Sequence, residues 1–181
     1  MAVHVWRRWA FARFLSSLRK VSPMFRRLFL TAVAVVVAGV GFAVAADAIS
    51  IELKDFKLKS DYDNNPEGVT LNEGDGKIAF YSNGTAVATV KIAEDGEYNI
   101  LIEASCDAAE KKNAAMTVKV GDEVVKEKFE LATVDAKEYP FKVKLKKGDV
   151  KLSIAFTNDV YKENEFDRNL YVHKVKVEPK K

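Results

Sequence analysis

The chain has 181 residues, 48% hydrophobic and 30% charged, which suits one domain with a substantial core. Its formal charge of +3 misleads. Residues 1–45 hold seven basic and no acidic side chains, leaving 22 basic against 26 acidic, a net −4 for the remainder. That balance excludes a basic surface for nucleic acid or anionic lipid.

The first 23 residues, MAVHVWRRWAFARFLSSLRKVSP, precede a second methionine, Met24. From Met24 the chain reads as an export signal, with a basic start at Arg26 and Arg27 and an apolar run from Leu28 to about Val44. Ala43-Val44-Ala45 closes the run as an A-x-A cleavage signal, with cleavage after Ala46 or Ala48 as alternatives. Residues 24–45 are thus expected to be a signal peptide. Residues 1–23 are read as a mis-assigned extension or a long basic n-region. A retained anchor is the alternative, but the run is slightly short for a membrane span. No cysteine lies near the cleavage site to carry a lipid. The expected destination is the periplasm or the extracellular medium.

From Ile49 onward the dominant period is two, which marks strands with one buried and one wet face. ISIELKDFKL alternates Ile49, Ile51 and Leu53 as one strand. Further strands are expected at Lys77–Tyr81, Ala86–Ile92, Tyr98–Ala104, Ala115–Val120, Val124–Leu131, Pro140–Leu145, Val150–Phe156 and Leu170–Val177. Asn83-Gly84 and Gly121-Asp122 read as hairpin turns between them. Asn83-Gly84-Thr85 also fits a glycosylation sequon, but the turn accounts for it without sugar. CDAAEKKNAAM is the one helix-prone stretch, a loop with at most a turn of helix. About nine short strands with no long helix predict an all-β antiparallel sandwich, one domain over residues 49–178.

Chemistry-bearing residues are sparse. Beyond the leader, which contains Trp6, Trp9 and His4, there is one histidine (His173), one cysteine (Cys106) and no tryptophan. No intramolecular disulfide or usual structural zinc site can form. Cys106 follows a strand and is expected to be a small buried hydrophobe. Asp61, Asp63 and Asn65 resemble the opening of an EF-hand loop, but Pro66 and Asn72 stand where glycine and a bidentate glutamate are required. No Ser-His-Asp set or poised carboxylate pair is recognisable, so the chain is read as non-catalytic.

One loop differs. In FTNDVYKENEFDRNLYV, Asp159 and Asp167 bracket a polar segment, and Arg168 is the only arginine beyond the leader. Arginine offers a planar fork that lysine lacks. Two loop carboxylates with backbone carbonyls between them suit a hard cation such as calcium. A plain Asx-turn with an Asp–Arg surface pair fits the same spacing.

FTND, a short variable loop, then DRNLYV resembles the signature of the calcium-dependent xylan-binding carbohydrate-binding modules. IELKDF, EDGEYNILIEAS, MTVKVGDEVV and KKGDVKLSIAFTND follow the family's order of strands, so the likeness runs from Ile49 to Val177. It implies a jelly-roll-like sandwich with Ca2+ at its tip, held by the carboxylates of Asp159 and Asp167 and the carbonyl of Phe166. Two neighbouring hydroxyls of a polysaccharide, xylan or a related β-glycan, would complete the shell. Asn158 and Arg168 would support the loop, the arginine pinning the aspartates, and Tyr161 or Phe166 would supply any stacking. Family members often hold a second, structural calcium through an E-x-E near the start. Here that element reads Glu52-Leu53-Lys54, and LYVD becomes LYVH at His173, so this second ion is expected to be absent or replaced by other contacts. The alternative function is an extracellular or envelope β-sandwich that binds protein rather than sugar.

Overall fold

The computed structural model of the chain describes residues 47–180. The extension over 1–23 and the export signal over 24–45 lie outside the described residues. Among the described residues no helix is long and apolar enough to cross a membrane.

Among the described residues thirteen strands, all paired antiparallel, carry the fold. One sheet contains β1 (Ile49–Ile51), β3 (Val69–Asn72), β4 (Lys77–Phe80), β6 (Gly96–Cys106), β9 (Lys137–Leu145) and β13 (Leu170–Pro179). Its order is β3-β4-β13-β6-β9, with β1 beside the far half of β13. The other sheet runs β2-β5-β10-β7-β8, formed by β2 (Lys57–Ser60), β5 (Gly84–Ile92), β7 (Ala115–Val120), β8 (Glu123–Glu130) and β10 (Gly148–Phe156). A short hairpin of β11 (Tyr161–Lys162) and β12 (Phe166–Asp167) stands apart from both.

Alternation decides which face of each strand is dry. Tyr98, Ile100, Ile102, Ala104 and Cys106 of β6 point inward, as do Ala86, Ala88, Val90 and Ile92 of β5. With Ile78, Phe80, Leu152, Ile154, Phe156, Leu170 and Val172 they form one buried cluster shared by both sheets. Phe80 and Phe156 meet edge to face across the layers, ring centroids 6.4 Å apart. The sandwich predicted from the period-two pattern is the fold observed, and Cys106 is buried as expected.

Three local expectations give way to topology. ISIELKDFKL is two strands, because a 3-10 turn at Leu53–Asp55 carries the chain from one sheet to the other. Asn83-Gly84 is not a hairpin turn either, since β4 and β5 lie in different sheets. Glycine is needed there for close approach: a Cβ at Gly84 would lie 2.4 Å from the Lys59 carbonyl oxygen and 2.5 Å from Val69 Cγ2. CDAAEKKNAAM contains no helix. Glu110 and Lys111 both adopt positive φ, 50° and 61°, and Ala109 and Lys112 exchange backbone hydrogen bonds around them. Gly121-Asp122 does turn the β7–β8 hairpin, with Gly121 at φ 57°.

Gly84→Ala is expected to lower stability by about 2–3 kcal/mol, the cost of forcing a methyl group into packed backbone. A denaturant midpoint equal to that of the parent protein would show that the β2–β5 contact is looser than described.

Candidate metal and ligand site

Strand pairing fixes where the polar loop emerges. Phe156, the end of β10, pairs with Gly84 and Met116, while Leu170, the start of β13, pairs with Phe80 and Cys106. Residues 157–169 therefore span one end of the sandwich, beside the 81–83 crossing and the 107–114 turn.

Arg168 holds this end together. It is 4% exposed, and its backbone N–H donates to Val160 O. Its guanidinium donates to the carbonyls of Asn158 (2.6 Å), Lys112 (3.2 Å) and Ala109. The positive-φ turn at Glu110 and Lys111 is what aims the last two carbonyls at it. The expected grip on the aspartates is not what the fork does: its hydrogen bonds go to backbone, and the Asp159 carboxylate feels its charge across space. Asn158 ties the same loops, accepting from Ala115 N–H at 2.7 Å and donating to Asn113 O at 3.0 Å. Asp159 N–H donates to Asn83 Oδ1 at 2.9 Å, so the Asp159 backbone is anchored to the 81–83 crossing.

On the other arm, Asn169 Nδ2 donates to Asp167 Oδ2 and to Asp107 Oδ2, both at 3.1 Å. Tyr171 Oη donates to the same Asp107 oxygen at 2.6 Å. Asp107, Asn169 and Tyr171 were not singled out from the sequence. Asn169 stands inside DRNLYV, but its neighbour Arg168 drew the argument, and Asp107 reaches the site only through folding.

The decisive feature is what remains unpaired. Asp159 Oδ1, Asp167 Oδ1 and Asn169 Oδ1 are buried without a hydrogen-bond partner; the only other such side-chain atom among the described residues is Tyr139 Oη. An orphaned buried acceptor costs about 1–3 kcal/mol. Three oxygen acceptors on one loop, two of them carboxylate, have the chemistry of a hard-cation shell. Burial first, then the adjacent Asp167, pushes the Asp159 carboxyl pKa up, with Arg168 opposing. No trio of Asp, Glu, His or Cys side chains that could hold a metal gathers among the described residues. Any cation here would therefore depend on Asn169, backbone carbonyls, water or ligand hydroxyls for the rest of its shell.

Phe166 and Tyr161 lie on the hairpin. Register pairs Lys162 with Phe166 and Tyr161 with Asp167, and Arg168 N–H bonds Val160 O one rung beyond. That register places Phe166 opposite Lys162 and next to Asp167 at the base of the hairpin. Tyr161 is 66% exposed.

Glu52, Lys54 and His173, read as one altered site, do line one cavity of about 390 Å³, together with Glu73 and Lys174. His173 sits at a bulge in β13, and its Nε2 shares a 2.7 Å hydrogen bond with Ser105 Oγ. Burial lowers its pKa, Lys77 adding to the effect and Glu103 opposing it. Two ammonium groups against two carboxylates give this lining no surplus of negative charge, which does not fit a dication.

The fold is that of known carbohydrate-binding β-sandwich modules. Residues 99–181 match the family CBM60, Ca-dependent carbohydrate-binding module, xylan-binding, which bears out the resemblance read from the loop. The match takes in the whole of 157–169. Among solved structures, the chain is similar to the CBM36-1 domain of a multidomain xylanase from the hindgut metagenome of Trinervitermes trinervoides. That similarity has TM-score 0.56 at 16% identity, over 75% of this chain and 99% of that one. It is also similar to BiXyn10A CBM1 in its apo form, with TM-score 0.53 at 14% identity, over 73% and 97% of the two chains. No curated protein matches the chain.

Two outcomes follow from the loop. Arg168→Lys is expected to cost about 3 kcal/mol, since one ammonium cannot serve three divergent carbonyls; equilibrium denaturation reads it. In metal-free buffer, Asp159 has a folded pKa above its unfolded value near 3.8. Its contribution is therefore fully stabilising below that value and is lost as pH rises through the folded pKa. The metal-free protein should gain thermal stability relative to Asp159→Asn on acidification through that window. Parallel melting curves would contradict this.

Proposed function

We propose that the domain over residues 49–178 is an exported, non-catalytic module that binds polysaccharide, xylan or a related β-glycan, through a loop-bound calcium. The observation that carries this reading is the set of three orphaned oxygens on Asp159, Asp167 and Asn169. These residues and the Phe166 carbonyl would hold the ion. When bound, calcium would supply open positions for two vicinal hydroxyls of a sugar.

The chain's own residues do the rest. Arg168 and Asn158 fix the loop backbone before any ligand arrives, so little ordering entropy is left for binding. Asp107 fixes the Asn169 amide, so that its carbonyl oxygen rather than its NH2 is the free atom. Cys106 precedes Asp107 but is buried, and burial pushes its thiol pKa up, in keeping with recognition rather than turnover. Export rests on the signal read at residues 24–45.

Calorimetric titration of the protein with xylo-oligosaccharides, in calcium and then in chelator, tests the reading. Sugar binding should require calcium at one ion per chain, and Asp159→Ala or Asp167→Ala should weaken calcium about 100-fold, or ~2.7 kcal/mol. Two calcium ions per chain would show that the Glu52–His173 cavity holds metal after all. Calcium binding with no response to any glycan would favour the alternative, a β-sandwich that binds protein.

A further inference from the structure

Charge is divided unequally between the two sheets. Strands β2, β5, β10 and β7 alternate, so one face of their sheet looks away from the core. On these strands that outward face carries five exposed lysines, Lys57, Lys59, Lys91, Lys119 and Lys151, against one acid, Asp149. Asp149 stands opposite Lys91, whereas the other four lysines have only Val87, Thr85, Ser153 and Thr89 opposite them on β5 and β10. No ion pair among the described residues involves any of the five. The edge strand β8 carries both signs. On the outward face of the other sheet the signs are mixed as well, with Glu97 opposite Lys144 and Glu103 opposite Lys174.

Register gives this face a shape. Lys57, Val87, Ser153 and Lys119 form one row across four strands, so the two lysines root about 14 Å apart, three strand spacings. Between them Thr85, Val87, Ser153 and Ala155 make a floor of short, half-buried side chains. Lys59 and Lys151 extend the rim. The result is a shallow trough with ammonium groups along its sides and hydroxyls in its floor. No aromatic side chain points out of these four strands, so a neutral sugar finds no ring to stack on there. Separated ammonium groups suit a chain that carries single, spaced anionic groups. Duplex nucleic acid is a poorer match: it holds one charge per roughly 1.7 Å of axis, and the net charge of −4 beyond the leader opposes so dense a polyanion. Phosphate also favours an arginine fork, and the one arginine beyond the leader, Arg168, is buried elsewhere.

We propose that the outward face of β2, β5, β10 and β7 is a second binding surface, and that its occupant is a polysaccharide bearing uronic-acid carboxylates. Lys57, Lys59, Lys119 and Lys151 pair with those carboxylates, while the Thr85 and Ser153 hydroxyls meet hydroxyls of the sugar chain. Binding here needs no metal, so it stands apart from the reading of the cation loop. With one surface on a sheet face and the other at an end of the sandwich, a single domain can hold an acidic and a neutral glycan segment at once.

Biolayer interferometry of the protein on immobilised polygalacturonate, in chelator and at low salt, tests this. Chelator silences the cation loop, so failure there and failure here are distinguishable. The parent protein should bind, and its affinity should fall as salt rises. Lys57→Gln combined with Lys119→Gln should weaken binding about tenfold. Lys142→Gln combined with Lys144→Gln removes the same charge from the outward face of the other sheet and should stay within about twofold of the parent. No binding by the parent overturns the site. An equal loss in both double variants also overturns it, since attraction would then follow net charge alone. Duplex DNA or anionic phospholipid vesicles bound as tightly as polygalacturonate at the same salt would overturn the acidic glycan as the occupant.

Discussion

The loop end of the sandwich depends on one buried cation. Arg168 is enclosed by three backbone carbonyls from two separate segments, the 107–114 turn supplying two and Asn158 the third. A guanidinium removed from water is tolerable only when its donors are satisfied, and here oriented carbonyl dipoles do it. Lysine dominates the chain's basic surface because a flexible, hydrated ammonium suits an exposed position. At this position geometry is required, and only a planar fork with several donors can draw distant loops to one point.

That arrangement leaves the neighbouring aspartates without the arginine's hydrogen bonds. Asp159 feels the charge of Asp167, and Arg168 spends its hydrogen bonds on backbone rather than on either carboxylate. The raised pKa of Asp159 is one sign of the tension, and the three unpaired oxygens are another. A folded protein tolerates such losses where function uses them, because its core can carry the deficit. Here that core is the continuous apolar layer from Ile78 and Phe80 through Ile154 and Phe156. Rigid sheets bear the stability, and the loops they position bear the unsatisfied chemistry.

How far this was legible in sequence follows from which forces are local. Alternation in β5, β6 and β10 is a direct imprint of one dry face, so the sandwich could be read without a structure. Asp159, Asp167 and Arg168 were conspicuous because their residue types were unusual for their surroundings. Crossings between sheets were not legible: ISIELKDFKL alternates through its 3-10 turn, and Asn83-Gly84 has hairpin chemistry although its flanking strands belong to different layers. Asp107 and Tyr171 lie 64 residues apart and meet only because β6 and β13 pair with Cys106 opposite Leu170. Nothing in the neighbourhood of either residue encodes that meeting.

The Glu110-Lys111 turn shows the same division at the level of backbone strain. Two consecutive non-glycine residues at positive φ cost roughly 1–2 kcal/mol each, and asparagine followed by glycine would occupy that turn more comfortably. Helix propensity in DAAEKKNAA points the other way, so the local sequence and the observed backbone disagree. The disagreement is resolved by the Ala109 and Lys112 carbonyls, which a helix would turn inward upon itself and which this turn instead directs to Arg168. The strained turn, the buried arginine and the orphaned aspartate oxygens are consecutive links of one construction. Each bears a cost, and the proposed cation at the last link would offset it.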